Sequence, residues 1–417
     1  MTDVVIVGAG LAGLACAREL ARRGVECVVL DAADSVGGRV RTDRVEGFQI
    51  DRGFQVHLTA YPEAQRVLDH DGLDLRPFEP GALVWRGGAF ERLGDPLRRP
   101  LQAVPTLLAD VGSVADKLRV LRLRQSVTRG GADDLWRRPE VATERALRDR
   151  YGFSERMVDR FFRPFLGGVF LDRSLAESSR SFEFYFRMFS TGAAAVPAAG
   201  MQAIPEQLAA GLPVGTVRLD TPVAAVREGA VETEGGEALA CRAVVVATDA
   251  SAAAALVPGL DEPGWKGTLQ LAWAAPAPPR DEAVLMLDGE GAGPVNNVQV
   301  MSAVAPTYAP AGQALVTASI LGQAPASRAD PDAAARAQLR GWFGDEVDAW
   351  RLLAVTAVPH ALPRLRSLAP PERPARVSDG LYITGDWRRN GSINGALVAG
   401  RHAAEAVAQD VGAGRSR

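Results

Sequence analysis

Val4-Val5-Ile6-Val7-Gly8-Ala9-Gly10-Leu11-Ala12-Gly13, followed by Val28-Val29-Leu30-Asp31, sets how this chain begins to fold. The stretch reads as a buried parallel strand, a glycine turn, a helix, and a second strand ending on an acid. Gly8 permits the tight turn, Gly10 lets the backbone approach a pyrophosphate, and Gly13 lets the helix pack closely on the strand. The helix N-terminus offers free N–H groups and a positive dipole end to phosphates. Asp31 follows at the spacing where a carboxylate accepts hydrogen bonds from ribose hydroxyls. A lone glycine turn of this kind is weak evidence. Here strand, spacing, helix and acid agree, which predicts a dinucleotide site in a doubly wound, Rossmann-like α/β domain.

The chain of 417 residues has room for more than one domain. Hydrophobic residues make up 47% and charged residues 23%, ordinary for a globular protein, and the net charge of −3 gives no reason to expect nucleic acid. Cys16, Cys27 and Cys241 all fall in apolar helix or strand patterns, as reduced core residues of a cytoplasmic protein do. The first strand starts within a few residues of Met1, so no signal peptide is expected before it. No apolar run is long enough for a transmembrane helix. Residues 100–127 alternate Leu and Val with Lys117, Arg119, Arg122 and Arg124, the pattern of an amphipathic helical hairpin. Its basic face is read as solvated, with peripheral membrane contact as the alternative.

Signals of strand and helix recur in separated blocks. Residues 76–190 read as helices rich in Arg, Leu and Phe. Phe182, Tyr185, Phe186 and Phe189 share one helical face, read as core packing or as the wall of an apolar pocket. Short strands return at 217–219, 223–226, 230–233 and 243–248, and more are expected at 268–273 and 314–320. A glycine loop and a helix over 394–409 close the pattern. These blocks predict a discontinuous cofactor domain (1–75, 195–255 and 375–417) and a substrate domain of mixed β-sheet and helices (76–194 and 256–374).

Other motifs extend the first. In Val36-Gly37-Gly38-Arg39, Gly38 allows close backbone approach and Arg39 offers a guanidinium fork to a phosphate. Asp51-Arg52-Gly53-Phe54-Gln55 supplies another glycine that could pass close to a flat ligand. Gly385-Asp386 ends a strand, and Ile393 opens the last helix, whose dipole would stabilise negative charge developing opposite it.

Together, VVIVGAGLAGL, DAADSVGGRVRT, DRGFQ and GD…GSINGALVAGRHAAEAV resemble, in order, the flavin-dependent amine oxidase and phytoene desaturase superfamily. The stretch FFRPFLGGVF to Gly200-Met201 is similar to its bacterial phytoene-desaturase-like branch. The resemblance implies FAD, with Gly8, Gly10, Gly13, Gly38 and Arg39 at the pyrophosphate and Asp31 at the adenosine ribose. It sets Val223 at adenine, Gly385 and Asp386 by the ribityl–phosphate region, Ile393 at the flavin O2, and Gly53 and Gln55 near the isoalloxazine. No cysteine follows Cys241, so the thioether link of the monoamine oxidases cannot form there and FAD is expected to be noncovalent.

Catalytic residues are harder to name. The family's lysine near flavin N5 aligns with Lys266 only after a shift of about two residues, and the alternative is a solvated lysine at a strand end. His57 and His360 are the histidines that could line the site, whereas His70 and His402 read as surface residues. No metal-ligand spacing appears. The expected activity is hydride transfer from a C–H of a small apolar organic substrate to flavin. An imine-forming amine oxidase and a redox-neutral isomerase or cyclase are the alternatives.

Overall fold

The computed structural model describes residues 2–95, 98, 103–322, 330–368 and 373–413. Thr2–Val7 lies inside an eight-stranded sheet. Val4, Val5 and Ile6 are fully buried, as a β-branched run covered on both faces should be. Parallel neighbours flank it: Cys27–Leu30, with Val217–Arg218 beyond, and the second half of Ala238–Val246. Leu381–Ile383 joins Ala238–Val246 in parallel, and Arg376–Ser378 closes that side. The first half of Ala238–Val246 pairs antiparallel with Ala230–Thr233, which pairs with Val223–Arg227. The strand expected at 243–248 is thus the end of a longer one that starts five residues earlier and stops at Val246. The helix Leu11–Arg22 packs against the last helix, Ile393–Ala413, which extends beyond the expected 394–409 at both ends. Gly400 makes that contact possible, since a Cβ there would lie 2.2 Å from the Ala12 carbonyl oxygen.

A second sheet of seven strands runs in the order Arg351–Pro363, Trp265–Ala275, Ala314–Leu321, Val295–Val300, Leu285–Asp288, Gly81–Arg86, Ala89–Gly94. It is antiparallel except where Leu285–Asp288 meets Gly81–Arg86. Side chains alternate across it. Leu269, Leu271, Trp273, Val298 and Val316 join one apolar core with Leu339 and Trp342 of the helix Pro331–Phe343. Gln270, Asn297 and Ser319 sit opposite one another in register.

The strands of the first sheet come from residues 2–30, 217–246 and 376–383, and those of the second from 81–94 and 265–363. A three-stranded sheet of His57–Leu58, Ala194–Pro197 and Leu75–Pro77 crosses the expected boundaries at 75/76 and 194/195. Of the expected hairpin, residues 100–102 lie outside the described residues; the remainder holds the helices Ala103–Leu108 and Val114–Thr128.

Candidate active site

A continuous cavity of about 1170 Å³ is walled by segments of both large sheets and the helices between them. Single-ligand sites usually enclose roughly 300–1,000 Å³, so this one has room for a large cofactor together with a second molecule.

One end is built from the glycine turn. Gly8 has φ +110°, and a Cβ there would lie 3.0 Å from the Ala247 backbone. Gly10 precedes the helix Leu11–Arg22; no side chain caps that N-terminus and its first turn carries no acid. A Cβ on Gly10 would meet nothing within 4 Å, and Gly10, Leu11 and Ala12 all face the cavity. The free N–H groups therefore open toward any anion held there. Gly13 is not on the wall: a Cβ there would stand 1.9 Å from the Gly8 carbonyl oxygen, so its absence lets the helix close on the turn.

Asp31, Gly38, Arg39, Val223, Gly385, Asp386 and Ile393 share this wall. The Asp31 carboxylate accepts from Ala9 N at 2.6 Å and Ala33 N at 2.8 Å. Each oxygen keeps a further lone pair for a hydroxyl. Arg39 donates to Asp386 Oδ1 at 2.5 Å and to the Ala361 carbonyl at 3.0 Å. Gln55 donates to the carbonyls of Arg39 and Arg52 at 2.8 and 2.9 Å, which fixes the turn carrying Arg39. Gly53 N donates to Gln270 Oε1 at 2.7 Å and ties this loop to the second sheet. An uncapped helix, a guanidinium and two carboxylates along one wall fit the diphosphate and hydroxyl groups of a dinucleotide such as FAD.

The other end is aromatic. Phe161 and Phe165 stack with ring centroids 5.4 Å apart, and Tyr185, Phe186 and Phe189 stand on the same wall. Phe182, read with them from its spacing, is fully buried in the core instead. Thr268, Asn297 and Ser319 bring neutral polar groups to the cavity. Asn297 Nδ2 donates to Ser319 Oγ at 3.3 Å and to Gln299 Oε1 at 3.1 Å. The polar trio is not singled out by the sequence, and Phe161 and Phe165 enter there only within the stretch FFRPFLGGVF, with no cavity role. Polar residues at alternate positions of otherwise apolar strands, and two phenylalanines four apart, were the available signals.

None of the three candidate catalytic side chains is on the cavity wall. His57 is completely buried, with Nε2 3.2 Å from His70 Nε2, and burial lowers its pKa to about 4. His70 is therefore a partner of His57 rather than a free surface residue. Lys266 is neither solvated nor in the cavity: its Nζ lies 2.6 Å from Glu177 Oε1 in a buried ion pair. Burial lowers its pKa, and Glu177 opposes that shift. His360 stacks on Trp265 at 4.8 Å with its Nδ1 3.7 Å from Asp249, outside the cavity wall. His402, expected at the surface, is half-buried beside Arg389. In the DRGFQ loop, burial pushes Asp51 up to about 6 although Thr42, Met201 N and Tyr308 all donate to it. The three cysteines are free thiols, none of them on the wall.

A profile of the flavin containing amine oxidoreductases matches residues 11–408. Coproporphyrinogen III oxidase of Propionibacterium freudenreichii is 31% identical over 173 residues, covering 40% of this chain and 31% of that protein. Protoporphyrinogen oxidase 2 of Arabidopsis thaliana is 27% identical over 173 residues, 40% of this chain and 32% of that one. The match thus spans about a third of the length of these relatives. Among solved structures, an oxidoreductase from Methanosarcina mazei has a TM-score of 0.75 at 17% identity, over 96% of this chain and 99% of that one. Cyclohexylamine oxidase from Brevibacterium oxydans has 0.69 at 20% identity, over 99% of both chains. At such identities the likeness is one of fold.

Proposed function

The chain belongs to the family of flavin containing amine oxidoreductases, and on that premise we propose that it binds FAD noncovalently and removes a hydride from a C–H of an apolar organic substrate. One observation carries the reading: the dinucleotide track and the aromatic chamber form a single cavity. In this reading the N-terminus of Leu11–Arg22, with Gly38 and Arg39, holds the diphosphate, Asp31 the adenosine ribose, and Val223 the adenine through its backbone. Gly385 and Asp386 serve the ribityl–phosphate region, Gly53 and Gln55 lie beside the flavin ring, and the Ile393 N–H faces its O2 edge.

FAD, when bound, supplies a two-electron acceptor. The aromatic wall holds the substrate flat and excludes water. Thr268, Asn297 and Ser319 can orient one uncharged polar group of it. The positive end of the last helix favours negative charge on the group it faces. Loss of the hydride to that acceptor, and of a proton from the adjacent atom to solvent, leaves a C=C bond in the substrate. Lys266 is held by Glu177 and takes no part. Absence of cysteine from the wall supports a noncovalent cofactor.

The test is to purify the protein, release any flavin with acid and identify it by chromatography. The holoprotein is then mixed anaerobically with polyenes, porphyrinogens and amines while the flavin absorbance is followed. FAD in the acid supernatant and bleaching by polyenes or porphyrinogens is the expected outcome. Bleaching by amines alone moves the chain to imine formation, and product without net reduction to isomerisation. A protein that stays colourless after incubation with FAD overturns the reading.

A further inference from the structure

Ten large hydrophobic side chains stand exposed among the described residues, and six of them are Val104, Leu107, Leu108, Val114, Leu118 and Leu121. Scattered exposed hydrophobics are normal on a protein surface, whereas a contiguous group of them marks a docking site. The helix Val114–Thr128 explains how the group is presented. Ser113 and Asp116 form a capping box at its start, and Asp116, Leu123 and Val127 are buried against the body of the protein. At 3.6 residues per turn, Val114, Leu118 and Leu121 fall on the opposite, outward face. The same spacing sets Lys117 and Arg124 along one flank of this stripe and Arg119 and Arg122 along the other; Arg124 is paired with Asp95 at 2.7 Å and Arg119 with the buried Asp116 at 3.1 Å.

The shorter helix, Ala103–Leu108, is fastened beside it. Lys117 Nζ donates to the carbonyls of Leu107 and Ala109 at 2.6 and 2.8 Å, satisfying the end of that helix. Arg122 is exposed and makes no ion pair among the described residues. Just past Leu108, the single carboxylate of Asp110 faces Arg86, Arg156 and Arg160. The chain as a whole carries a net charge of −3, so this basic excess is local. Leu107, Leu118 and Leu121 also line the cavity, whose mouth therefore opens within the patch.

We propose that this face docks on an anionic lipid surface, with the apolar stripe in the acyl boundary and Arg122 and the arginines gathered around Asp110 at the headgroups. An apolar stripe between two rows of long basic side chains is the arrangement that lies in a membrane interface. A second copy is the poorer occupant, because two-fold pairing of the patch with itself would bring its cations together. The contact is peripheral: no described helix is long and apolar enough to cross a membrane. Entry of an apolar substrate from the lipid through this mouth rests on the flavoenzyme reading, while the docking does not.

Sedimentation of the flavin-loaded protein with extruded vesicles tests it, comparing phosphatidylcholine alone with phosphatidylcholine containing phosphatidylglycerol. The protein is expected to pellet with the anionic vesicles, less so at high salt, and to stay in the supernatant with neutral ones. Leu108→Asp/Val114→Asp changes two exposed side chains that do not line the cavity. It is expected to weaken partitioning by about tenfold or more, with retained flavin absorbance reporting an intact fold. Arg122→Glu is expected to weaken it by about fivefold or more. Wild-type protein that ignores anionic vesicles overturns the proposal, as does a double variant that binds as well as wild type. A dimer that the double variant dissociates assigns the face to a second copy instead. Vesicle binding by a protein that stays colourless after incubation with FAD would leave the docking standing and the proposed function failed; flavin reduction without vesicle binding would do the reverse.

Discussion

Lys266 and Glu177 carry opposite charges 2.6 Å apart, with side chains only 5% and 4% exposed. Removing one partner of such a pair leaves a buried charge uncompensated and typically costs about 3–5 kcal/mol, whereas replacing both with apolar groups is often neutral. Lys266→Met is therefore expected to lower stability by several kcal/mol in urea unfolding. Lys266→Met/Glu177→Leu is expected to recover most of the loss and still reduce its flavin; a double variant that folds but cannot do so would return Lys266 to catalysis. His57 gives a second prediction. Its ring stays neutral down to about pH 4 in the fold, against 6.5 for an ordinary histidine. The unfolded chain therefore takes up a proton below 6.5 that the folded chain refuses, so stability is full above 6.5 and is lost as the pH falls toward 4, by about 3 kcal/mol. Asp51, pushed up to about 6, works oppositely, binding its proton more tightly in the fold. Only the difference between wild type and His57→Leu isolates the ring. Urea unfolding at about pH 4.5 and 7.5 is expected to give a smaller acid loss for the variant, and equal losses would contradict the buried neutral ring.

At the scale of elements, Gly10 and Gly13 belong to one motif but answer to different forces. A Cβ on Gly13 meets the Gly8 carbonyl oxygen at 1.9 Å, and that backbone atom cannot move without shifting the strand or the helix. Gly13→Ala is expected to cost about 3 kcal/mol or more and to lose the cofactor with the fold. Gly10 has φ −70° and ψ 175°, which alanine adopts readily, and open space beyond it. Gly10→Ala is expected to leave unfolding within about 1 kcal/mol of wild type and to weaken FAD binding, because the new methyl occupies the wall where phosphate approaches. Calorimetric titration with FAD beside urea unfolding separates the two variants; equal loss of stability in both would refute the distinction. This contrast also explains what the sequence made legible. The βαβ unit, the Arg39 turn and the start of the last helix are local patterns, in which spacing alone determines which groups face the same way. The buried pairs are not local: Lys266 meets a residue 89 positions away, and no periodicity on its own strand announces Glu177. His57 and His360 were legible as titratable groups near promising loops, but their neighbours were not, and those neighbours keep both rings off the wall.

Across the whole molecule, the cavity is where the two large sheets meet. Trp273 and Leu339 anchor one core, Val5 and Ile383 another, and a third cluster containing Ile6 and Leu287 runs between them. Sequence reading anticipated the mixed architecture but not the three-stranded sheet of residues 57–58, 75–77 and 194–197, whose short strands carry almost no pattern of their own. The Gly53–Gln270 hydrogen bond ties the loop beside the glycine-turn end of the cavity to the second sheet. A dinucleotide bound along the track would touch segments drawn from residues 8–12, 31–39, 221–223 and 385–393, which only the folded chain brings together. Binding to the native state alone stabilises it by about 4 kcal/mol at a thousandfold excess over Kd. With an unfolding entropy of roughly 2.1 cal/mol/K per residue, that free energy raises the melting temperature of 417 residues by about 5 °C. Scanning calorimetry of flavin-loaded and flavin-stripped protein is expected to give this rise, with one sharp transition in the loaded form. Identical melting in both forms would mean that the cavity wall is not the cofactor site.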